Sequence, residues 1–184
     1  MTKGPTTLET PRLVLRKPAI SDAHAVFERY AGDPAVTRYM SWPTHKTVAD
    51  TCAFLAWSDA DWDRWPAGSY LVHTREGKLL GGTGLSFRTP LFAATGYVFA
   101  RDAWGQGFAT EALRAMVDLA QVLGLKKLEA GLPQAATTGA RAGFLAPSRR
   151  HTLARASRMS PARTPLVRPR EAWVFSGSQL CWGS

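Results

Sequence analysis

The chain has 184 residues, 45% of them apolar, with 23 Lys and Arg against 14 Asp and Glu and a formal net charge of +9. A chain of this length buries roughly 70% of the surface it exposes when unfolded, so one self-sufficient core is expected without disulfides or a structural metal. Its apolar runs are too short to cross a bilayer, residues 1–10 lack the apolar stretch of a secretory signal, and Cys52 and Cys181 fit neither a disulfide framework nor a zinc site, so a soluble cytoplasmic protein is expected.

In chain order, Leu13 and Leu15 alternate with Val14 and Arg16 over residues 12–17 until Pro18 stops the pattern, which predicts a first strand at a sheet edge. Ser21 and Asp22 can cap a following helix with Val26, Phe27 and Tyr30 on one stripe and Gly32 as its left-handed end. Asp33-Pro34 restarts a short helix, and Thr47 caps a longer one with Val48, Cys52, Leu55 and Trp62 on one face, ended by Pro66 and Gly68. Residues 70–74 and 78–87 predict a hairpin around Arg75-Glu76-Gly77, with Gly81, Gly82 and Gly84 thinning its second strand. A short apolar strand at residues 96–100 then runs into a glycine turn.

That turn, Trp104-Gly105-Gln106-Gly107-Phe108-Ala109-Thr110, opens a helix whose Phe108, Ala112, Met116, Leu119 and Leu123 recur every three or four residues, with Gly124 closing it. A strand that delivers glycines to a helix N-terminus presents unpaired N–H groups at the positive end of the helix dipole, where phosphate binds. Side chains at Gly105 or Gly107 would hold a pyrophosphate off, and Thr110 adds a hydroxyl. An ordinary tight turn has the same spacing. No Lys follows the glycines and the third glycine is absent, which excludes a P-loop and the dinucleotide fingerprint.

Trp-Gly-Gln-Gly-Phe-Ala-Thr-Glu-Ala resembles the acetyl-CoA turn of the Gcn5-related N-acetyltransferases (GNAT), in particular the branch like the ribosomal-protein-alanine acetyltransferases. Leu8-Glu9-Thr10-Pro11-Arg12-Leu13, Asp33-Pro34-Ala35-Val36-Thr37-Arg38-Tyr39 and Gly96-Tyr97-Val98 occur in that branch's order, and the resemblance spans residues 8–131. It implies an α/β acyl-CoA N-acyltransferase fold: a mixed, mostly antiparallel central sheet with helices on both faces. It implies acetyl-CoA as co-substrate, with the pyrophosphate on the amides of Gly105, Gln106, Gly107, Phe108, Ala109 and Thr110. Trp104 stands beside the cofactor, and Val98, Phe99 and Ala100 offer main-chain groups to the pantetheine arm.

The implied reaction is direct attack by a primary amine, on a small molecule or a protein N-terminus, in a ternary complex. Deprotonation is a modest demand for an α-amino group near pKa 7.7–8.0 and a larger one for lysine near 10.4, so a base or water chain is required, with a donor for the oxyanion. No residue is assigned as that base: Ala93-Ala94-Thr95 replaces the Glu that some members carry, and Tyr97, on a central strand, is read as core. Trp42, in the loop over the acceptor side, is a pocket candidate, whereas Trp57, Trp62 and Trp65 at helical spacing are read as core. His24, His45 and His73 lack metal-ligand spacing, Asp59, Asp61 and Asp63 do not share one helix face, and no metal is expected.

Residues 1–131 carry 15 basic and 13 acidic side chains, whereas residues 132–184 carry 8 Arg against Glu171 alone, with 9 Ala, 6 Ser and 5 Pro. The expected division is therefore an acetyltransferase core over 1–131 and an atypical tail over 132–184. The family pattern calls for an Asn-bearing turn, a short helix and a final hairpin there, yet the chain has no asparagine. Arg141-Ala142-Gly143-Phe144 and Arg149-Arg150-His151-Thr152 resemble fragments of that pattern at shortened spacing, and codons for Phe-Pro-Asn-Val-Ser-Pro read one base late can give Ser-Arg-Met-Ser-Pro, as residues 157–161 spell. A displaced reading frame after about Gly131 is the preferred reading, leaving the last strands missing or scrambled. The alternatives are a CoA-binding remnant without activity and a basic nucleic-acid-binding tail, although Trp173 and Trp182 lack the surrounding basic pattern of the latter.

Overall fold

The computed structural model describes residues 2–130. The displaced frame, the scrambled terminal strands and the basic tail expected from residue 131 onward lie outside the described residues.

Six strands form one sheet in the order β1-β2-β3-β4-β5-β6: β1 (Thr7–Glu9), β2 (Leu13–Arg16), β3 (Ser69–Thr74), β4 (Leu79–Thr89), β5 (Phe92–Phe99) and β6 (Lys127–Ala130). All neighbours are antiparallel except β5 and β6, which are parallel. The mixed, mostly antiparallel sheet is thus present, with three changes from the sequence reading. The edge belongs to β1, so β2 is the second strand; β1 is only three residues long and too short to show alternation. The expected strand at 96–100 begins at Phe92, because Ala93, Ala94 and Thr95 are buried partners of Phe87, Ser86 and Leu85. A further strand, β6, pairs with Phe92–Thr95 through residues 127–130, although Lys127 and Glu129 give it little apolar signal.

Side-chain alternation sends the sheet's residues to two cores. Leu13, Leu15, Tyr70, Val72 and Phe99 pack under α4 (Phe108–Val122), whose Ala112, Met116, Leu119 and Ala120 are buried at helical spacing. Leu71, Leu79 and Ala100 face the opposite way, against Val26, Tyr30, Ala31 and Val36. Each fully buried large aliphatic side chain stabilises by about 2 kcal/mol, so both layers contribute to holding the sheet between them. Helices therefore cover both faces, as expected. None among the described residues is long and apolar enough to cross a membrane.

The second layer begins with a tight turn at Ile20–Asp22, continues as α1 (Ala23–Val26) and widens into a π-helical turn at Phe27–Ala31. Asp22 Oδ2 accepts from the Ala19 N–H at 2.8 Å, capping the segment, and also from Arg16. Gly32 was expected to be left-handed but has φ −85, because its N–H closes the wide turn onto the Phe27 carbonyl at 2.9 Å. Crowding explains the glycine instead: a Cβ there would lie 3.0 Å from the Phe27 ring and carbonyl.

Asp33 caps α2 (Pro34–Thr37) through the Ala35 N–H at 2.9 Å. Thr47 and Asp50 form a reciprocal cap on α3 (Val48–Arg64), whose far end is held by Lys3 Nζ donating to the carbonyls of Trp62, Asp63 (2.8 Å) and Trp65 (2.9 Å). The buried face of α3 is Thr51, Leu55, Ser58 and Trp62, turned from the expected stripe so that Val48 and Cys52 are half-buried at its border, with α3 packed against α1.

Candidate active site

β5 approaches α4 through a turn at Arg101–Ala103 and the glycine segment. Gly105 and Gly107 have φ +72 and +78, values that carry a steric penalty for any residue with a Cβ. A Cβ on Gly105 would meet nothing within 4 Å, so the space beside the turn is open. Gly107 is the N-cap of α4, and the first N–H to bond back into the helix is that of Glu111, to the Gly107 carbonyl at 3.1 Å. Helix geometry leaves the N–H groups of Phe108, Ala109 and Thr110 without an intrahelical acceptor, at the positive end of the dipole. Thr110 is exposed beside them. The structure thus brings together the turn residues singled out from sequence, from Trp104 to Thr110.

The strand residues divide. The Ala100 N–H donates to the Leu80 carbonyl at 2.9 Å, and the Val98 carbonyl lies so close over β4 that a Cβ on Gly81 would be 2.0 Å from it. Alternation along a strand turns the main-chain groups of Tyr97 and Phe99 the other way. On that side β6 pairs only with Phe92–Thr95, so among the described residues Gly96 to Phe99 form an open edge. The Phe99 carbonyl is already occupied, accepting from Trp104 Nε1 at 2.7 Å. The Phe99 N–H and the main-chain groups of Tyr97 remain. Tyr97, read from the sequence as core, is 37% exposed, and partial burial still pushes its phenol upward.

Arg12, Thr10 and Glu111 form a brace that local sequence patterns do not reveal. Glu111 accepts from Arg12 Nε (2.7 Å), the Arg12 N–H (2.9 Å) and Thr10 Oγ1 (2.6 Å), while Arg12 also donates to the Gln106 carbonyl at 3.0 Å. Glu111 loses solvation on burial, yet the bonds from Thr10 and Arg12 outweigh that and hold its carboxyl below the usual range. The available signal was that both partners lie in segments carrying the family resemblance, 99 residues apart. An open groove of about 740 Å³ runs between the Pro5–Arg12 segment and α4, from Gly107 past Arg114 to Val122.

Of the other candidates, Trp42 is half-buried and, like Val98, packs against the core on the face opposite α4. Its ring centroid is 5.2 Å from that of His45, whose Nδ1 bonds Thr51 Oγ1 at 2.8 Å and whose burial lowers its pKa. Trp62 and Trp65 belong to the α4-side core, whereas Trp57 is exposed and stacks on Phe54. His24 is exposed, and His73 sits half-buried beside Arg16 and Asp22, with burial lowering its pKa. Asp59 and Asp63 are exposed.

The family model for the acetyltransferase (GNAT) domain matches residues 12–134. The chain belongs to the GNAT acetyltransferase family. This makes it an acetyl-CoA-dependent N-acetyltransferase by class. The GNAT chain is 30% identical over 128 residues to the N-acetyltransferase p20 of Bacillus licheniformis, covering 67% of this chain and 71% of that one. Among solved structures it resembles an acetyltransferase of Agrobacterium tumefaciens at 26% identity and TM-score 0.60, covering 80% of this chain and 90% of that one. It shares the fold of RimL, a ribosomal L7/L12 α-N-protein acetyltransferase, at 20% identity and TM-score 0.60, over 72% of this chain and 74% of that one.

Proposed function

We propose that the chain binds acetyl-CoA with its pyrophosphate on the amides of Gly105 to Thr110 and its pantetheine arm along the open edge of β5, and passes the acetyl group to a primary amine by direct attack. The observation that carries this reading is the continuity of three features: the edge at Gly96 to Phe99, uncovered among the described residues, the turn with two positive-φ glycines, and the free N-terminus of α4. The residues fit the group. The turn is open where a Cβ on Gly105 would stand, the exposed Thr110 hydroxyl adds a donor, and the Phe99 N–H and Tyr97 main chain run beside the path of an extended arm.

Acetyl-CoA supplies an activated thioester. The chain's own part is to hold it in line with the amine and to present a main-chain N–H where negative charge develops on the carbonyl oxygen. Trp42 and Val98 stand on the opposite face from α4, where the acceptor enters in this reading. The acceptor class is an α-amino group, of a protein N-terminus or a small molecule, because its ordinary pKa leaves a useful neutral fraction near pH 7 without a dedicated base. The fold shared with a protein α-N-acetyltransferase supports the same choice.

The test pairs calorimetric titration of the full chain with acetyl-CoA and a thiol-release assay over peptides and small amines. Saturable binding with thiol release in the presence of α-amines is expected. Binding without turnover on any amine would instead support the alternative of a CoA-binding remnant without activity. We also propose that the coding frame is displaced after about residue 131. Independent resequencing across codons 125–184 is expected to restore an Asn-bearing turn; confirmation of the printed residues overturns it.

A further inference from the structure

Arg12 is fixed at three points: Nε on Glu111 Oε2 at 2.7 Å, a terminal nitrogen on the Gln106 carbonyl at 3.0 Å, and its guanidinium 4.7 Å from the Phe108 ring centroid. Charge-assisted hydrogen bonds of this kind are the stronger ones, and stacking on the ring restricts the side chain further. Its place beside the turn is close, since a Cβ on Gly107 would be 3.5 Å from its other terminal nitrogen.

Two consequences reach the glycine turn. The Gln106–Gly107 peptide is trans, as no cis bond is present, and a trans peptide points its C=O and N–H in opposite directions. Anchoring the Gln106 carbonyl on a cation therefore aims the Gly107 N–H away from Arg12. This peptide turns about ψ of Gln106 and φ of Gly107, and a glycine accepts either sign of φ, so without the anchor the peptide can rotate and turn its carbonyl outward. The second consequence is electrostatic. Glu111 lies in the first turn of α4, where an unpaired carboxylate repels an incoming anion, and Arg12 offsets that charge.

We infer that Arg12 is a positioning residue for the pyrophosphate of the donor: it sets the direction of the Gly107 N–H and offsets the Glu111 charge at the helix N-terminus. This inference rests on the acetyl-CoA reading above. It acts on the pyrophosphate end of the donor and not on the thioester end.

The full-length wild type, Arg12→Ala, Arg12→Lys and the Arg12→Ala/Glu111→Gln double variant are titrated with acetyl-CoA and with acetyl-pantetheine, which keeps the thioester arm and lacks the pyrophosphate. Arg12→Ala is expected to weaken acetyl-CoA roughly tenfold, the effect of one lost charge-assisted contact, and to leave acetyl-pantetheine unchanged. The double variant recovers part of the loss by removing the unpaired carboxylate. Arg12→Lys, a point charge without the planar fork, gives an intermediate loss confined to acetyl-CoA, which keeps the test valid should Arg12→Ala fail to fold. Equal losses for both donors, or wild-type affinity for acetyl-CoA in folded Arg12→Lys, overturn the inference alone. A wild type that binds neither donor overturns the proposed function, and the inference with it.

Discussion

The Nε1 of Trp104 donates to the carbonyl of Phe99 across 2.7 Å, tying the entrance of the glycine turn back to the end of β5. The bond occupies the carbonyl that faces the strand's open edge. Trp104→Phe keeps a ring and removes the donor, so it is expected to lower stability by about 1 kcal/mol and to weaken acetyl-CoA binding several-fold. Urea denaturation and calorimetric titration measure the two effects. No change in either would mean that the indole contributes nothing beyond its bulk.

At Gly107, the left-handed backbone at φ +78 makes alanine costly by about 1–2 kcal/mol before any contact is considered. Relaxing toward negative φ turns the first amides of α4 away from the open space. Gly107→Ala is expected to lose most acetyl-CoA affinity while remaining folded by circular dichroism; retained affinity would place the donor elsewhere.

Gly81 presents a different constraint. A Cβ there would sit 2.0 Å from the Val98 carbonyl and 2.8 Å from the Phe99 Cα, both backbone atoms that cannot move aside. Gly81→Ala must separate β4 from β5, with an expected loss of 3 kcal/mol or more, on the order of severe overpacking. Soluble protein with a wild-type thermal midpoint would rule out this packing of the two strands.

Asp102 carries an acid-sensitive contribution. Hydrogen bonds from Arg29 and then Lys78 lower its carboxyl from the usual 3.8 to about 2. A carboxylate with a depressed folded-state value adds stability above its unfolded value and loses it as pH falls through the folded one, so the window lies between about pH 4 and pH 2. Because the group is half-exposed, the effect is small and screened by salt. Urea midpoints across this window should fall less steeply in Asp102→Asn than in the wild type at low ionic strength, and the difference should shrink in about 0.5 M salt, where the screening length is only about 4 Å. Parallel curves at low ionic strength would exclude the effect.

Much of the local structure was legible because it rests on contacts within a few residues. The Thr47–Asp50 cap, the Asp33-Pro34 restart, the Gly77 turn and the spacing of Ala112, Met116 and Leu119 all follow from short-range geometry. β1 and β6 were missed for the converse reason: three- and four-residue strands with mixed polarity exist because a neighbour pairs with them. Gly32 was recognised as special for the wrong cause, since its need is space beside Phe27 and not a left-handed backbone.

The sequence by itself determined the family and the glycine turn, because a turn that opens a helix must be written contiguously, here from Trp104 to Thr110. Only the tertiary structure decided which strand groups remain free and what holds the turn. Arg12 meets Glu111 and Gln106 because β2 and α4 pack on one another. Such contacts join residues nearly 100 positions apart, where no periodicity along the chain can encode them.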